Sequence, residues 1–235
     1  IMALPKINTP TYELELPSTG DKIKYRPFLV KEQKLLLMAQ ETGEDDDIAR
    51  AMGDLVHSCT FGKIDPVNSP VFDIEYLFLR IRGKSVGETV NLNLTCPDDN
   101  ETKVQVKINL EDISVNMLDD HTNEIQLLDN CKMVFRYPIL SDMKGITGGS
   151  DIQSVFKLME SCVQEIHYGD DIYRRDDMTA KDITDFIDQL TGSQFEKISD
   201  FFNSMPKLRH SIPVTNPKTK KKSEVVLEGL QSFLV

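Results

Sequence analysis

From Tyr12 the chain alternates, with apolar Tyr12, Leu14 and Leu16 separated by Glu13 and Glu15. After Pro17-Ser18-Thr19-Gly20-Asp21 the alternation resumes at Ile23 and Tyr25. A period of two on both sides of a Pro/Gly turn predicts a hairpin over residues 12–28. The period then changes. A short helix is expected from Val30 to Gln40, and Ile48, Met52, Leu55 and Cys59 recur at three- and four-residue spacing, which predicts a second. The acid run Glu44-Asp45-Asp46-Asp47 suits the positive end of that helix better than a metal. Ser69-Pro70 reads as N-cap and first-turn proline of a third helix, Val71 to Arg82, which is apolar nearly all round.

Alternation returns in the middle of the chain. Val90, Leu92 and Leu94, then Val104, Val106, Ile108 and Leu110, mark two half-buried strands joined by a polar loop. Further strands are expected near Glu124–Leu128 and Met133–Tyr137. A second helical group comes next. Ser150 with Gln153 has a capping-box pattern before a stripe running from Ile152 through Val163 to Ile166. Thr179 with Asp182 and Ser193 with Glu196 open two more helices, and Ile212 to Leu230 reads as a closing hairpin. The order describes an α+β fold of antiparallel hairpins with two groups of helices, without the βαβ rhythm of a parallel sheet. One unit over residues 1–235 is expected, with sub-modules at 1–87, 88–140, 150–206 and 207–235. Ile1 ahead of Met2 reads as an addition before a natural start at Met2.

Composition narrows the function. The 235 residues carry 27 Lys and Arg against 38 Asp and Glu, a net charge of −11, and 40% are hydrophobic. That suffices for a core. No run reaches the roughly 18–20 apolar residues of a membrane helix, and an acidic whole disfavours nucleic acid as a general partner. Cys59, Cys96, Cys131 and Cys162 lie far apart with no Cys-x-x-Cys pair, so four reduced cysteines in a cytosolic protein are expected.

Catalytic signatures fail one by one. Gly83-Lys84-Ser85 lacks the glycine that a phosphate loop needs five residues earlier, where Phe78 stands. Lys144-Gly145-Ile146-Thr147-Gly148-Gly149-Ser150 reads as a connection ending in an N-cap. His57, His121, His167 and His210 are scattered. The doublets Asp119-Asp120, Asp170-Asp171 and Asp176-Asp177 lack calcium-loop spacing. No enzyme, cofactor or metal is expected. Lys218, Lys220, Lys221 and Lys222 form the one dense basic cluster, in a turn.

Two loops resemble each other. Leu94-Thr95-Cys96-Pro97-Asp98-Asp99-Asn100-Glu101 and Val214-Thr215-Asn216-Pro217-Lys218-Thr219-Lys220-Lys221 both run apolar–Thr–(Cys or Asn)–Pro into a polar turn and returning strand, the second reading one residue longer. Each is similar to the Cys-Pro-x-Cys knuckle of a zinc ribbon, with Cys96 the remaining thiol and Asp99, Asn216 and Thr219 at the other ligand positions. One thiolate cannot close a structural zinc site. Either the match is chance, or the two hairpins pair through packing in place of metal, which brings Cys96 close to Asn216. An adaptor touching nucleic acid through the Lys218–Lys222 loop is the alternative this ribbon raises.

The segments Phe72-Asp73-Ile74-Glu75-Tyr76-Leu77-Phe78-Leu79-Arg80-Ile81-Arg82-Gly83-Lys84-Ser85-Val86-Gly87-Glu88 and Leu227-Glu228-Gly229-Leu230-Gln231-Ser232-Phe233 resemble the baseplate protein family of T4-like contractile-tailed phages. Members of that family are associated with the central baseplate hub, as hub subunits or hub-assembly factors. Some carry the cysteine knuckles. The resemblance implies a non-enzymatic protein that binds other phage tail and baseplate hub proteins, with no small-molecule substrate and no membrane. Its place would be the host cytoplasm during assembly and, if retained, the virion tail baseplate. Candidate partner-binding residues are Lys218, Lys220, Lys221 and Lys222, with Phe72 and Tyr76 on a helix whose first use is core packing.

Overall fold

The computed structural model describes residues 7–143 and 152–233, and every strand pairing among them is antiparallel. The fold is α+β. The described residues of Ile1–Asn116 and Lys207–Val235 form unit 1, and those of Met117–Pro206 form unit 2.

Unit 1 opens with the hairpin β1 (Tyr12–Glu15) and β2 (Lys22–Tyr25), then α1 (Val30–Thr42), α2 (Asp45–Cys59) and α3 (Val71–Val86). Phe72, Ile74, Leu77, Phe78, Leu79 and Ile81 are all buried, so α3 is the core helix of the unit. It begins differently from the sequence reading. Pro70 occupies the N-cap, while the Ser69 hydroxyl donates to the Asp65 carbonyl at 2.7 Å and tightens the preceding turn. The helix also runs past Arg82, so Gly83-Lys84-Ser85 lies in its last turns, with Lys84 paired to Glu88 at 2.5 Å and Glu111 at 3.0 Å.

The strands β3 (Thr89–Thr95) and β4 (Lys103–Asn109) make a two-stranded ribbon, and β5 (Ser114–Asn116) follows a 3-10 turn, Leu110–Asp112. The buried Arg80 secures that turn by donating to the carbonyls of Leu110 at 2.9 Å and Ile113 at 2.7 Å. The Leu110 carbonyl also accepts from the Ile113 N–H at 3.4 Å, and the guanidinium adds a stronger, charged donor to it.

Unit 2 contains the sheet β6 (Glu124–Leu128), β7 (Cys131–Phe135), β8 (Val163–Tyr168) and β9 (Asp171–Arg174), in that spatial order. Its helices are α4 (Ile152–Cys162), α5 (Ala180–Ile187) and α6 (Gly192–Ser204). Ile125, Met133, Phe135, Val163, Ile166, Ile183, Ile198 and Phe201 share one core. Two local readings are corrected here. The helix expected through Ile166 stops at Cys162, and Val163–Tyr168 is strand β8, because pairing with β7, whose register shifts between Val134 and Phe135, buries both Val163 and Ile166 although they stand three residues apart. The box before α6 is Thr191 with Gln194, whose side-chain carbonyl accepts from Thr191 N–H at 2.8 Å, not Ser193 with Glu196. The Thr179–Asp182 box is present as expected. Lys144 to Ser150, with the first capping box, lies outside the described residues.

The chain then returns to unit 1 as β10 (Lys207–Thr215) and β11 (Lys222–Glu228). With β5 they form the sheet β11-β10-β5, in which Lys207 pairs with Asn116.

One arrangement occurs in both units. In unit 1 the residue after β2, Arg26, donates its backbone N–H to the Cys59 carbonyl at 3.0 Å. Its guanidinium reaches the Pro27 carbonyl, Ser58 and the Glu32 carboxylate at 2.9 Å, and Glu32 also accepts from Leu29 N–H at 2.8 Å. In unit 2 the residue after β7, Arg136, donates its N–H to the Cys162 carbonyl at 2.8 Å. Its guanidinium reaches the Tyr137 carbonyl, the Ser161 carbonyl and both oxygens of Asp142, which accepts from Ile139 N–H at 2.9 Å. A hairpin, an arginine, a carboxylate six residues on and a helix ending Ser-Cys are thus locked twice by the same bonds. The fork of a guanidinium suits this work, because it satisfies several fixed acceptors at once.

Candidate functional site

The two loops singled out in the sequence are hydrogen-bonded to each other. Asn216 Nδ2 donates to Asp98 Oδ1 and to Asp99 Oδ2, both at 2.9 Å, and the Thr219 hydroxyl donates to Asp98 Oδ2. Cys96 and Asn216 occupy matching positions. Cys96 N–H donates to the Thr102 carbonyl at 2.8 Å and its carbonyl accepts from Asn100. Asn216 N–H donates to the Lys221 carbonyl at 2.9 Å and its carbonyl accepts from Lys220. Asn100 and Lys220 both take the left-handed conformation, at φ 54° and 63°. The relative lengths are the reverse of the sequence reading. Thr95 pairs with Lys103 but Thr215 with Lys222, so the first loop is one residue longer. Val104 faces Leu94, whereas Val214 faces Ser223 and Val225 faces Ile212, so the first returning apolar residues do not mark equivalent positions.

A third turn of the same kind lies in the β1–β2 hairpin. Leu16 N–H donates to the Asp21 carbonyl at 2.9 Å and its carbonyl accepts from Gly20, whose φ is 73°. Leu16-Pro17-Ser18-Thr19-Gly20, Cys96-Pro97-Asp98-Asp99-Asn100 and Asn216-Pro217-Lys218-Thr219-Lys220 therefore share one design. A buried first residue is followed by proline and, three positions after it, a left-handed residue. The Pro-x-x-(Gly, Asn or Lys) spacing was the available signal for the third member. Here too the turn reaches out to a carboxylate, since Ser18 N–H donates to Asp73 Oδ1 at 3.1 Å and its hydroxyl to Oδ2.

Electrostatics explain why carboxylates and an amide occupy the knuckle positions. The Thr219 hydroxyl and the Asn216 amide hold the Asp98 carboxyl below its usual range. Thr102 does the same for Asp99 through side chain and backbone, helped by Asn216. Burial, with the two aspartates beside it, pushes the Cys96 thiol up, away from the thiolate that a metal would need. Among the described residues no three His, Cys, Asp or Glu side chains are grouped to hold a metal ion.

The other sequence candidates are dispersed. Lys218, Lys220 and Lys221 are exposed on the β10–β11 loop, and Lys222 is exposed at the start of β11. Phe72 is buried in the core, and Tyr76 is half-buried with the Arg80 guanidinium 4.8 Å from its ring centre. His57 Nδ1 lies 2.6 Å from the Ile64 carbonyl, and His167 Nε2 lies 2.7 Å from Glu165. Asp170 lies in the turn from β8 to β9 and Asp171 opens β9, while Asp176-Asp177 sits in a 3-10 turn. All four cysteines are buried and unbridged. Sequence reasoning missed the apolar surface of α1, where Val30, Leu35, Leu37 and Met38 are exposed alongside Lys31 and Lys34. Among the described residues no helix is long and apolar enough to cross a membrane.

Comparison with known proteins gives two findings. A family model described as T4 bacteriophage base plate protein matches residues 9–235. The chain is similar to the baseplate hub assembly protein gp26 of Enterobacteria phage T4, 25% identical over 225 residues that span 94% of this chain and 97% of that protein. No solved structure matches.

Proposed function

The chain belongs to the T4 bacteriophage base plate protein family, and from that premise we propose that it acts without catalysis, as a baseplate hub component or hub-assembly factor that binds other tail proteins. The observation that carries this reading is the end-to-end likeness to a hub assembly protein, which covers 94% of one chain and 97% of the other. Nearly the whole chain is shared, so both units contribute to the common role.

The geometry supports binding over chemistry. The Asp98–Asn216 contact fixes the loop that presents Lys218, Lys220, Lys221 and Lys222, and the same two carboxylates oppose its charge, which suits an acidic protein surface better than a phosphate backbone. The exposed apolar residues of α1, flanked by Lys31 and Lys34, fit the same partner: a baseplate protein offering apolar groups ringed by acids. Assembly takes place in the host cytoplasm, and the protein either stays in the finished baseplate or is released.

Co-expression with the hub proteins of the same phage, followed by affinity capture, tests the proposal. The wild type retains a hub protein, while Leu35→Glu with Met38→Glu, or Lys220→Glu with Lys221→Glu and Lys222→Glu, weakens retention about tenfold, the loss expected from removing one or two interface anchors. Deleting the gene stops baseplate formation. Normal tails from the deletion, with no partner captured, overturn the reading. Mass spectrometry of purified virions separates a permanent part from a released helper.

A further inference from the structure

The module shared by the two units ends at the Ser-Cys of its helix, and beyond that point the two paths diverge. After Cys59 the chain turns away through Phe61 and Gly62, both at positive φ. After Cys162 it continues directly into β8, turns at Gly169-Asp170 and returns as β9. The β8–β9 hairpin is thus additional to the shared module. It is also poorly covered, with Tyr168 52%, Ile172 48% and Tyr173 46% exposed.

The two edges of this sheet are treated differently. On the β6 edge the ammonium of Lys197 donates to the carbonyls of Gln126 at 2.8 Å and Leu127 at 3.3 Å, so an α6 side chain occupies main-chain acceptors. On the β9 edge all four residues are exposed, and no strand of the described residues pairs with it beyond β8. An edge strand leaves alternate main-chain N–H and C=O groups directed outward, and a second strand satisfies them. Large apolar side chains on such an edge mark a place where another chain adds on.

The sequence of the edge says which chain. Asp170-Asp171-Ile172-Tyr173-Arg174-Arg175 has two acids at one end, two arginines at the other and apolar residues between. A strand set antiparallel to a copy of itself meets its own opposite end. With Tyr173 facing Tyr173 across the twofold axis, Asp171 at the start of each β9 meets Arg175, the first residue of the 3-10 turn past the end of the other. Within its own unit Arg174 Nε is 3.8 Å from Glu165 Oε1, and Arg175 donates to the Met178 carbonyl at 3.2 Å, so the arginines are held near the edge. We propose that β9 is a self-association edge, through which two copies of this chain join their four-stranded sheets into one of eight strands.

Sedimentation equilibrium on the full chain tests this. Wild type runs at twice the chain mass. Asp170→Arg with Asp171→Arg puts four like charges on the edge, and Arg174→Asp with Arg175→Asp does the same with the opposite sign. Each variant runs as a single chain, and an equimolar mixture of the two returns to twice the mass. Circular dichroism checks that both stay folded. Tyr173→Cys offers a milder probe: mild oxidation yields a covalent dimer through the two introduced thiols, while Val226→Cys, exposed on β11, does not. A wild type of single-chain mass at its highest soluble concentration overturns the proposal. So do reversed variants that remain dimeric, a mixture that fails to recover, or Tyr173→Cys that oxidises no faster than Val226→Cys.

Discussion

Glu32 shows how much one carboxylate holds in place. Burial pushes its pKa up, yet the Arg26 side chain, the Leu29 N–H and the Ser58 hydroxyl outweigh that and bring it down to about 2, from an ordinary 4.5. A carboxylate depressed in the fold contributes stability above its unfolded pKa and loses it as pH falls through the folded value. The window is therefore pH 4.5 to about 2, and Glu32→Gln flattens the acid limb of unfolding there. Arg136→Ala in the second unit costs about 3 kcal/mol, because it strips a largely buried carboxylate of its ion pair, and Arg26→Ala costs less, because Lys31 stays 3.3 Å from Glu32. Replacement by Lys does not restore the loss, since an ammonium lacks the fork. Urea unfolding measures both. At His121 the fold favours the uncharged form instead. Its ring packs against Phe201 at 5.1 Å and Tyr137 at 5.7 Å, which are themselves 6.1 Å apart, Nδ1 is 3.0 Å from the Ser204 hydroxyl, and Nε2 has no hydrogen-bond partner among the described residues. Burial lowers its pKa from 6.5 against the opposing charge of Asp120. The fold prefers the neutral ring, so stability falls as pH drops through 6.5. The urea midpoint of His121→Phe, which keeps the stack, changes less between about pH 8 and about pH 5.5, values that bracket an ordinary histidine, than that of the wild type.

Among the elements, what was legible in the sequence had local causes. The Thr179–Asp182 box, the apolar spacing of α2 and the alternation of β3 and β4 each need only neighbouring residues, and each appears as read. The strand β8 was lost because Val163 and Ile166, three residues apart, carry a helical spacing, and only the shifted register against the distant β7 puts both on one side of a strand. The arginine module left a faint trace. Its carboxylate always stands six residues on, but the Ser-Cys that closes it lies 33 residues from Arg26 and 26 from Arg136 when counted to the cysteine. The paired turns were half visible: Cys-Pro and Asn-Pro could be matched, whereas the bonds from Asn216 to Asp98 and Asp99 join residues 118 and 117 apart. Those bonds hold two turns where two knuckles would hold zinc. A triple variant, Asp99→Cys, Asn216→Cys and Thr219→Cys, completes four thiolates with Cys96. It binds cobalt with the intense visible absorption of a tetrahedral thiolate site. Wild type gives none, and a triple variant equally silent shows that the turns do not match knuckle geometry.

Taken whole, the chain leaves unit 1 after Asn116 and re-enters it at Lys207, and these two residues are paired across β5 and β10. Replacing residues 117–206 with Asn-Gly, a two-residue hairpin turn, therefore closes the gap without moving either strand. The shortened chain is expected to unfold in one cooperative step with the helical circular dichroism of α1 to α3, and an uncooperative melt counts against this. Unit 1 needs that return. The strand β10 lies between β11 and β5 and supplies Leu208, Ile212 and Val214, all buried. On the ribosome this imposes an order. The segment that builds unit 2 is contiguous and is finished first, whereas the earlier-made α3 and β5 wait for a strand not yet synthesised. A nascent chain paused between residues 116 and 207 thus carries the uncovered apolar side of its oldest part while its newest part is already closing. Codon pauses within that interval strike unit 1, whose own codons lie outside it.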